Sequence, residues 1–416
     1  MRTRYAIGAV FISVAAAAIV ASNLFAAAPE AVGCSGPHDP TDAARPIGSG
    51  PLTLAKFYCL KLPSSNSSVS PPMPSPDERA FFAFDAINGL WLAGTDRQKS
   101  SHNFTGRVVG ALALTREVPF TWFKTSRSVL GIRQETMNPS GFALGPLRPT
   151  VFSLDGSENA LPALSHPAGP LDEIFWAGRS GLAIAAFGTK GGYYRPEHQD
   201  KAQTIAIVDA TAGKVLQSVP IASIAGLPPR TRVASVAPWV DERGNVNALI
   251  TFSPNKWVWW VQGQAPRSVP LGASELYTQF AISPDGRSVL VMKNLSATGV
   301  ICEQNPNCPP PTPSTGAIAE LREMSTGKLI WSILGTAKRF SSSDRPAISP
   351  NGRYALISMP ASERGPTTAL VSMQSGRVLQ QIPDPWTSEC AVGFSQDSKT
   401  AWISGGSALV TYRVRD

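Results

Sequence analysis

The chain has 416 residues, 43% hydrophobic and 16% charged, enough for a large core that a single repeat domain can fill. Its 35 glycines and 37 prolines, with no long amphipathic pattern at helical spacing after residue 30, point to short strands joined by tight turns and exclude a helical bundle. The net charge of +8 is carried by scattered Lys and Arg with no run of five, so nucleic acid is not an expected partner.

Residues 1–28 read as a targeting segment. Met1-Arg2-Thr3-Arg4 is a positive start, and Ala6 to Ala28 is apolar apart from Ser13, Ser22 and Asn23. That run, about 23 residues, is long enough to cross a bilayer as an uncleaved signal anchor. The positive-inside rule then leaves residues 29–416 outside. Cleavage as a signal peptide is the second reading, although a cut after Ala28 leaves Pro29 behind it. The third is lipidation at Cys34, because Ala31-Val32-Gly33-Cys34 resembles a bacterial lipobox. All three place the domain outside the cytoplasm: in the periplasm, on the cell surface or secreted.

Residues 29–76 read as an extended N-terminal segment. Within it Pro51 to Leu60 has the composition of a strand and needs a partner elsewhere, and 61–76 is a Ser- and Pro-rich linker. From 77 to 416 short apolar runs and turns continue without a break. They cover Arg79 to Ala93, Ser126 to Ser153 before an Asp155-Gly156 turn, Glu173 to Gly188 with Gln203 to Val219, and Val233 to Val261. Between Leu276 and Pro383 one pattern stands twice. Phe280-Ala281-Ile282 leads into Ser283-Pro284-Asp285-Gly286-Arg287, an apolar run, and later Ser325-Thr326-Gly327-Lys328. Pro346-Ala347-Ile348 leads into Ser349-Pro350-Asn351-Gly352-Arg353, an apolar run, and later Gln374-Ser375-Gly376-Arg377. In such turns Pro fixes φ, Asp or Asn bonds its own backbone, and Gly supplies φ > 0.

This is the outline of a four-stranded antiparallel unit, and repetition makes it an all-β β-propeller of about seven blades. The last unit, Thr387 to Val414, holds only three strands and a degenerate turn, Phe394-Ser395-Gln396-Asp397-Ser398. The strand near 51–60 is therefore expected to close the last blade, removing an open edge.

Thr204-Ile205-Ala206-Ile207-Val208-Asp209-Ala210-Thr211-Ala212-Gly213-Lys214 resembles the YVTN-type propeller repeat. The turns at 283–286 and 349–352 are similar to those of the same group and of WD-repeat-like propellers. The later units depart from the pattern, with Glu323 and Ser372 where the first has Asp209. The resemblance implies the fold and says little about function.

Chemistry is sparse. The four histidines, His38, His102, His166 and His198, share no metal-ligand spacing, and no Gly-x-Ser-x-Gly elbow occurs. No catalytic, cofactor or metal residue is assigned. Leu321-x-Glu323-x-x-Thr326-Gly327-x-x-x-Trp331 resembles the tryptophan-docking repeat of quinone-dependent propellers. The matching positions after Gly213 and Gly376 are, however, Gln217 and Gln380. Trp257 and Trp259 share one face of a strand, either as an aromatic platform for a sugar or apolar partner or as packing between blades. The reading is an exported, monomeric binding scaffold for a protein or a cell-envelope polymer, with membrane anchoring through the N-terminus. The alternative is a propeller enzyme, a lactonase-like hydrolase or a quinoprotein-type redox subunit, working at the central channel.

Of the five cysteines, Cys302 and Cys308 flank Glu-Gln-Asn-Pro-Asn in an insertion from about 295 to 315, where a disulfide would staple a long loop. Cys59 and Cys390 both fall in the closing blade, where pairing depends on geometry. Non-reducing peptide mapping of the exported protein is expected to recover Cys302 and Cys308 in one linked peptide. Free thiols at both positions defeat the assignment.

Overall fold

A computed structural model describes residues 31–32, 44–60, 72–85, 89–94, 102–104, 120–134, 147–188, 203–227, 232–253, 256–271, 279–293, 315–336, 345–362, 365–383, 390–405 and 408–415. The targeting segment, Cys34, Cys302 and Cys308 lie outside them.

The strands group into seven antiparallel sheets. Blade 1 comprises Met73–Pro74, Ala80–Asp85, Gly89–Gly94 and His102–Phe104. Blade 2 comprises Thr121–Trp122, Ser128–Gln134, Leu147–Ser153 and Glu158–Ala160. Blade 3 comprises Leu171–Trp176, Leu182–Phe187, Thr204–Asp209 and Lys214–Pro220. Blade 4 comprises Arg232–Val240, Val246–Ser253, Lys256–Val261 and Arg267–Ser268. Blade 5 comprises Gln279–Ile282, Ser288–Met292, Thr315–Glu323 and Leu329–Thr336. Blade 6 comprises Ala347–Ile348, Tyr354–Ser362, Gly365–Ser372 and Val378–Pro383. Blade 7 takes Cys390–Phe394, Thr400–Gly405 and Ala408–Val414 from the C-terminus and Leu52–Leu60 from the N-terminus. The molecule is a seven-bladed β-propeller. Its one helical element among the described residues is the 3-10 turn Ile221–Ser223, and no described helix is long and apolar enough to cross a membrane.

Blade faces pack against blade faces, which explains why the middle strands read as unbroken apolar runs. Ile205 and Ile207 enter the seam between blades 3 and 4 with Val236, Ile250 and Val258. Their neighbours Ala206 and Val208 enter the opposite seam, with Ile132 and Phe187. Alternation is present, but both faces are buried. Each fully buried aliphatic side chain adds about 1.5–3 kcal/mol.

The N-terminal strand closes the ring as expected. Leu52–Leu60 pairs with Ala408–Val414, from Leu52↔Val414 to Cys59↔Ala408, with a register shift between Leu54 and Lys56. Ala55 is the extra residue. The bulge puts Leu52, Leu54 and Phe57 opposite Val414, Tyr412 and Val410, so all three join the seam with blade 6 although 54 and 57 are an odd number apart. Gln380 of blade 6, 4% exposed, clamps the strand. Its Oε1 accepts from Leu52 N at 2.9 Å and its Nε2 donates to Leu52 O at 3.1 Å. The lead-in is also anchored, since Tyr412 Oη donates to Ala44 O at 2.9 Å and Ile47 N to Gln381 O at 2.7 Å.

Three details correct the sequence reading. Blade 7 has a fifth strand, Ala31–Val32, paired outside Leu60 and Cys59. The ring begins at Met73, inside the stretch read as linker. Cys59 and Cys390 lie on one row of the sheet, through Ala408 and Gly405. They are three strand spacings apart, about 14 Å, whereas a disulfide needs Cα atoms within about 7 Å.

Gln380→Ala leaves a buried N–H unsatisfied and is expected to cost about 2–3 kcal/mol in denaturant unfolding. Gln217→Ala, at the equivalent but partly exposed position of blade 3, should cost about 1 kcal/mol. Equal effects from the two variants would show that the clamp does not hold the closing strand.

Candidate functional site

The turn between the first and second strands of a blade is a small hydrogen-bonded machine. In blade 5 Ser283 Oγ donates to Asp285 Oδ1 at 2.6 Å and accepts from Ser288 N at 2.9 Å, while Arg287 N donates to Asp285 Oδ1 at 3.0 Å. Blade 6 repeats this with Ser349, Asn351 and Tyr354, and blade 7 with Ser395, Asp397 and Thr400. Blade 1 has it too. Ser75 Oγ donates to Asp77 at 2.6 Å and accepts from Ala80 N at 3.0 Å. The sequence reading missed this copy because Glu78 stands where blades 5 and 6 place glycine and blade 7 places Ser398. Glu78 has φ 59° and Ser398 φ 61°, against 68° and 69° at Gly286 and Gly352. The signal was the surviving Ser75-Pro76-Asp77-x-Arg79 frame.

These turns gather at one end of the central channel. There a pocket of about 350 Å³ is walled by residues of blades 1, 2, 3, 6 and 7. Phe82, Phe120, Trp122, Phe394 and Trp402 are its aromatic lining, and Glu78 and Arg179 are its charged residues. Phe82 sits 5.5 Å from Trp122 at 57°, a tilted pair that holds the wall. Arg179 projects from the first turn of blade 3. Its Nη2 donates to Lys124 O in blade 2 at 2.9 Å and its Nη1 to Gln396 Oε1 in blade 7 at 3.4 Å. Blades 3 and 7 stand almost opposite each other in the ring, so this guanidinium spans the mouth. Lys124 N donates back to Arg179 O at 3.0 Å. Among the described residues, two buried donors in this wall have no partner, Trp122 Nε1 and Arg179 Nε.

The predicted site residues fall elsewhere. Trp257 is 3% exposed and meets Phe280 edge-on at 5.1 Å, in the seam between blades 4 and 5. Trp259 is half-buried, with the Arg267 guanidinium 4.3 Å from its ring. Blade 5 covers the face on which a platform would have to lie, so the pair forms none. Trp331 donates from Nε1 to Met373 O of blade 6 at 2.8 Å. Its indole lies so close over Gly376 that a Cβ there would stand 2.8 Å away. The tryptophan-docking resemblance is therefore a seam contact, and Gln217 and Gln380 take the same position in blades 3 and 6. Among the described residues, no group of three or more His, Cys, Asp or Glu could hold a metal.

No protein-family model and no curated protein matches the chain. Among solved structures it is similar to the propeller of Dos1, at 11% sequence identity and a TM-score of 0.46, covering 88% of this chain and 95% of that one.

Two carboxylates brace the turns beside the pocket. Partial burial pushes the Asp77 carboxyl up, but hydrogen bonds from Ser75 and the Arg79 amide outweigh it and hold it below the usual range. The Ser395 hydroxyl and then the Lys399 amide lower Asp397 against a smaller desolvation. A depressed folded value contributes stability that is full above the unfolded value, about 3.9, and is lost as pH falls through the folded one. Asn351 fills the same role in blade 6 without titrating. The double variant Asp77→Asn, Asp397→Asn is thus expected to melt near the parent at pH 7 and to lose less stability than the parent below about pH 4. Parallel acid profiles for the two proteins would refute this.

Proposed function

We propose that this propeller is an exported binding scaffold that engages a protein or cell-envelope polymer through the face bearing the Ser-Pro-Asp-Gly turns. The pocket at the channel mouth carries the reading, because turns from blades 1, 3, 6 and 7 and the first strand of blade 2 combine there into a concave, mostly apolar site. Its volume falls within the range of small-ligand sites, about 300–1,000 Å³. Its apolar wall and single guanidinium suit recognition of a group rather than proton transfer. The described residues offer no observation that favours the enzymatic alternative.

Orientation supports the same reading. Ala31 pairs with Leu60, at the opposite end of blade 7 from the Leu52↔Val414 pair beside the turns. A signal anchor retained through residues 1–28 therefore leaves from the face away from the pocket. In a tethered form the pocket looks outward from the membrane.

A photo-cross-linking amino acid at Gln396, on the pocket rim, tests the proposal against one at Leu334, 74% exposed on the outer strand of blade 5. In intact cells the first is expected to give a discrete adduct that the second does not. Identical adducts from both positions, or none from either, would count against a partner on the turn face.

A further inference from the structure

Buried donors are nearly always paired. Among the described residues the indole N–H groups of Trp91, Trp122, Trp257 and Trp259 and the Arg179 Nε–H are not, and of these residues only Trp122 and Arg179 line the channel-mouth pocket. The channel-mouth pocket has two in one wall. Trp122 is 6% exposed, and its indole N–H has no partner. Arg179 has five N–H donors in a planar fork. The structure assigns one to Lys124 O and one to Gln396 Oε1. Nε–H is buried and unmatched. The two residues are coupled, because Arg179 binds Lys124 by both its backbone and its side chain, two positions beyond Trp122.

An apolar wall with unpaired donors calls for a ligand with an apolar body and a strong acceptor. Glu78 balances the charge of Arg179 within the lining. Preference for an anion must therefore come from directed N–H contacts rather than from a general positive field. A fork-shaped guanidinium beside a second N–H matches the two oxygens of a carboxylate better than one carbonyl.

We propose that this pocket binds a carboxylate carried on an apolar body, with Arg179 and Trp122 donating to its oxygens and Phe82, Phe120 and Trp402 enclosing the apolar part. This rests on the scaffold reading and names the chemistry its site selects. The carboxylate could be that of a small aryl or alkyl acid or the C-terminus of a peptide ending in an aromatic residue, and the test separates them.

Isothermal titration of the purified propeller with 3-phenylpropionate and with its amide is the first arm. The second uses a pentapeptide ending in Phe with a free C-terminus and the same peptide amidated. In at least one arm the acid is expected to bind tenfold or more tightly than the amide, since hydrogen bonds to charged groups are about twice as strong as neutral ones. A preference in the peptide arm alone identifies a C-terminus as the source. A preference for 3-phenylpropionate establishes that a small acid suffices. Arg179→Gln should abolish the preference. Trp122→Phe, which keeps an aromatic ring but removes the indole N–H and shrinks the side chain, should weaken both ligands somewhat and reduce the acid-over-amide preference several-fold. If Arg179→Gln does not fold, Trp122→Phe alone decides. Equal binding of acid and amide in both arms, no binding in either, or a preference that survives the deciding variant overturns the proposal. Adducts from Gln396 alongside any of those results would leave the scaffold reading standing and remove only this one.

Discussion

The ring depends on how closely the third turns of blades 3, 5 and 6 approach the blade before them. Gly213, Gly327 and Gly376 all have left-handed φ, near 64–71°. A Cβ at 213 would stand 2.6 Å from Pro162 of the segment leaving blade 2, and one at 376 would stand 2.8 Å from Trp331 of blade 5. At 327 a Cβ would overlap the Pro270 carbonyl that follows blade 4. The turn chemistry and the seam therefore require the same residue for independent reasons. From the other side, the outer strand reaches forward. Gln217 holds the Gly263 amide and the Gln264 carbonyl of blade 4, Trp331 holds Met373, and Gln380 holds Leu52. A bulge next to each reaching residue aims it across the seam. Blades are thus latched both ways, and the latch fixes where the neighbouring turns sit around the channel.

The parts of this architecture legible in the sequence were those written in local patterns. The Ser-Pro-Asp-Gly and Thr-Gly-Lys turns reveal themselves because each residue has a backbone duty that few others perform. The closing strand was legible because its blade was one strand short. Three features escaped for stated physical reasons. The blade 1 turn was hidden by Glu78 at a position where the frame alone enforces a left-handed backbone. The bulge at Ala55 breaks the period of two that a strand reading assumes. Periodicity put Trp257 and Trp259 on one face, but it carries no information on whether a neighbouring blade covers that face. The pocket was the least legible feature of all. Trp122, Arg179 and Trp402 belong to three different blades, and no spacing in the chain relates them.

A channel mouth assembled this way also separates recognition from stability. The latches lie in the seams and along the rim, while the pocket is lined by short turns and inner-strand ends. Residues such as Pro350 can change without touching a latch. Arg179 is the exception, since its contacts with Lys124 and Gln396 brace blades 2, 3 and 7 across the opening.

Joining the first strand to the last has a temporal consequence. Leu52 and Val414 are neighbours in the sheet and nearly the whole domain apart in the chain. Contacts of such separation form late, after their loop entropy has been met. A ribosome releasing this protein delivers the closing strand early and its partner last. For most of synthesis the apolar face of Leu52, Leu54 and Phe57 has nothing to cover it, and the ring stays open until the final strand is free.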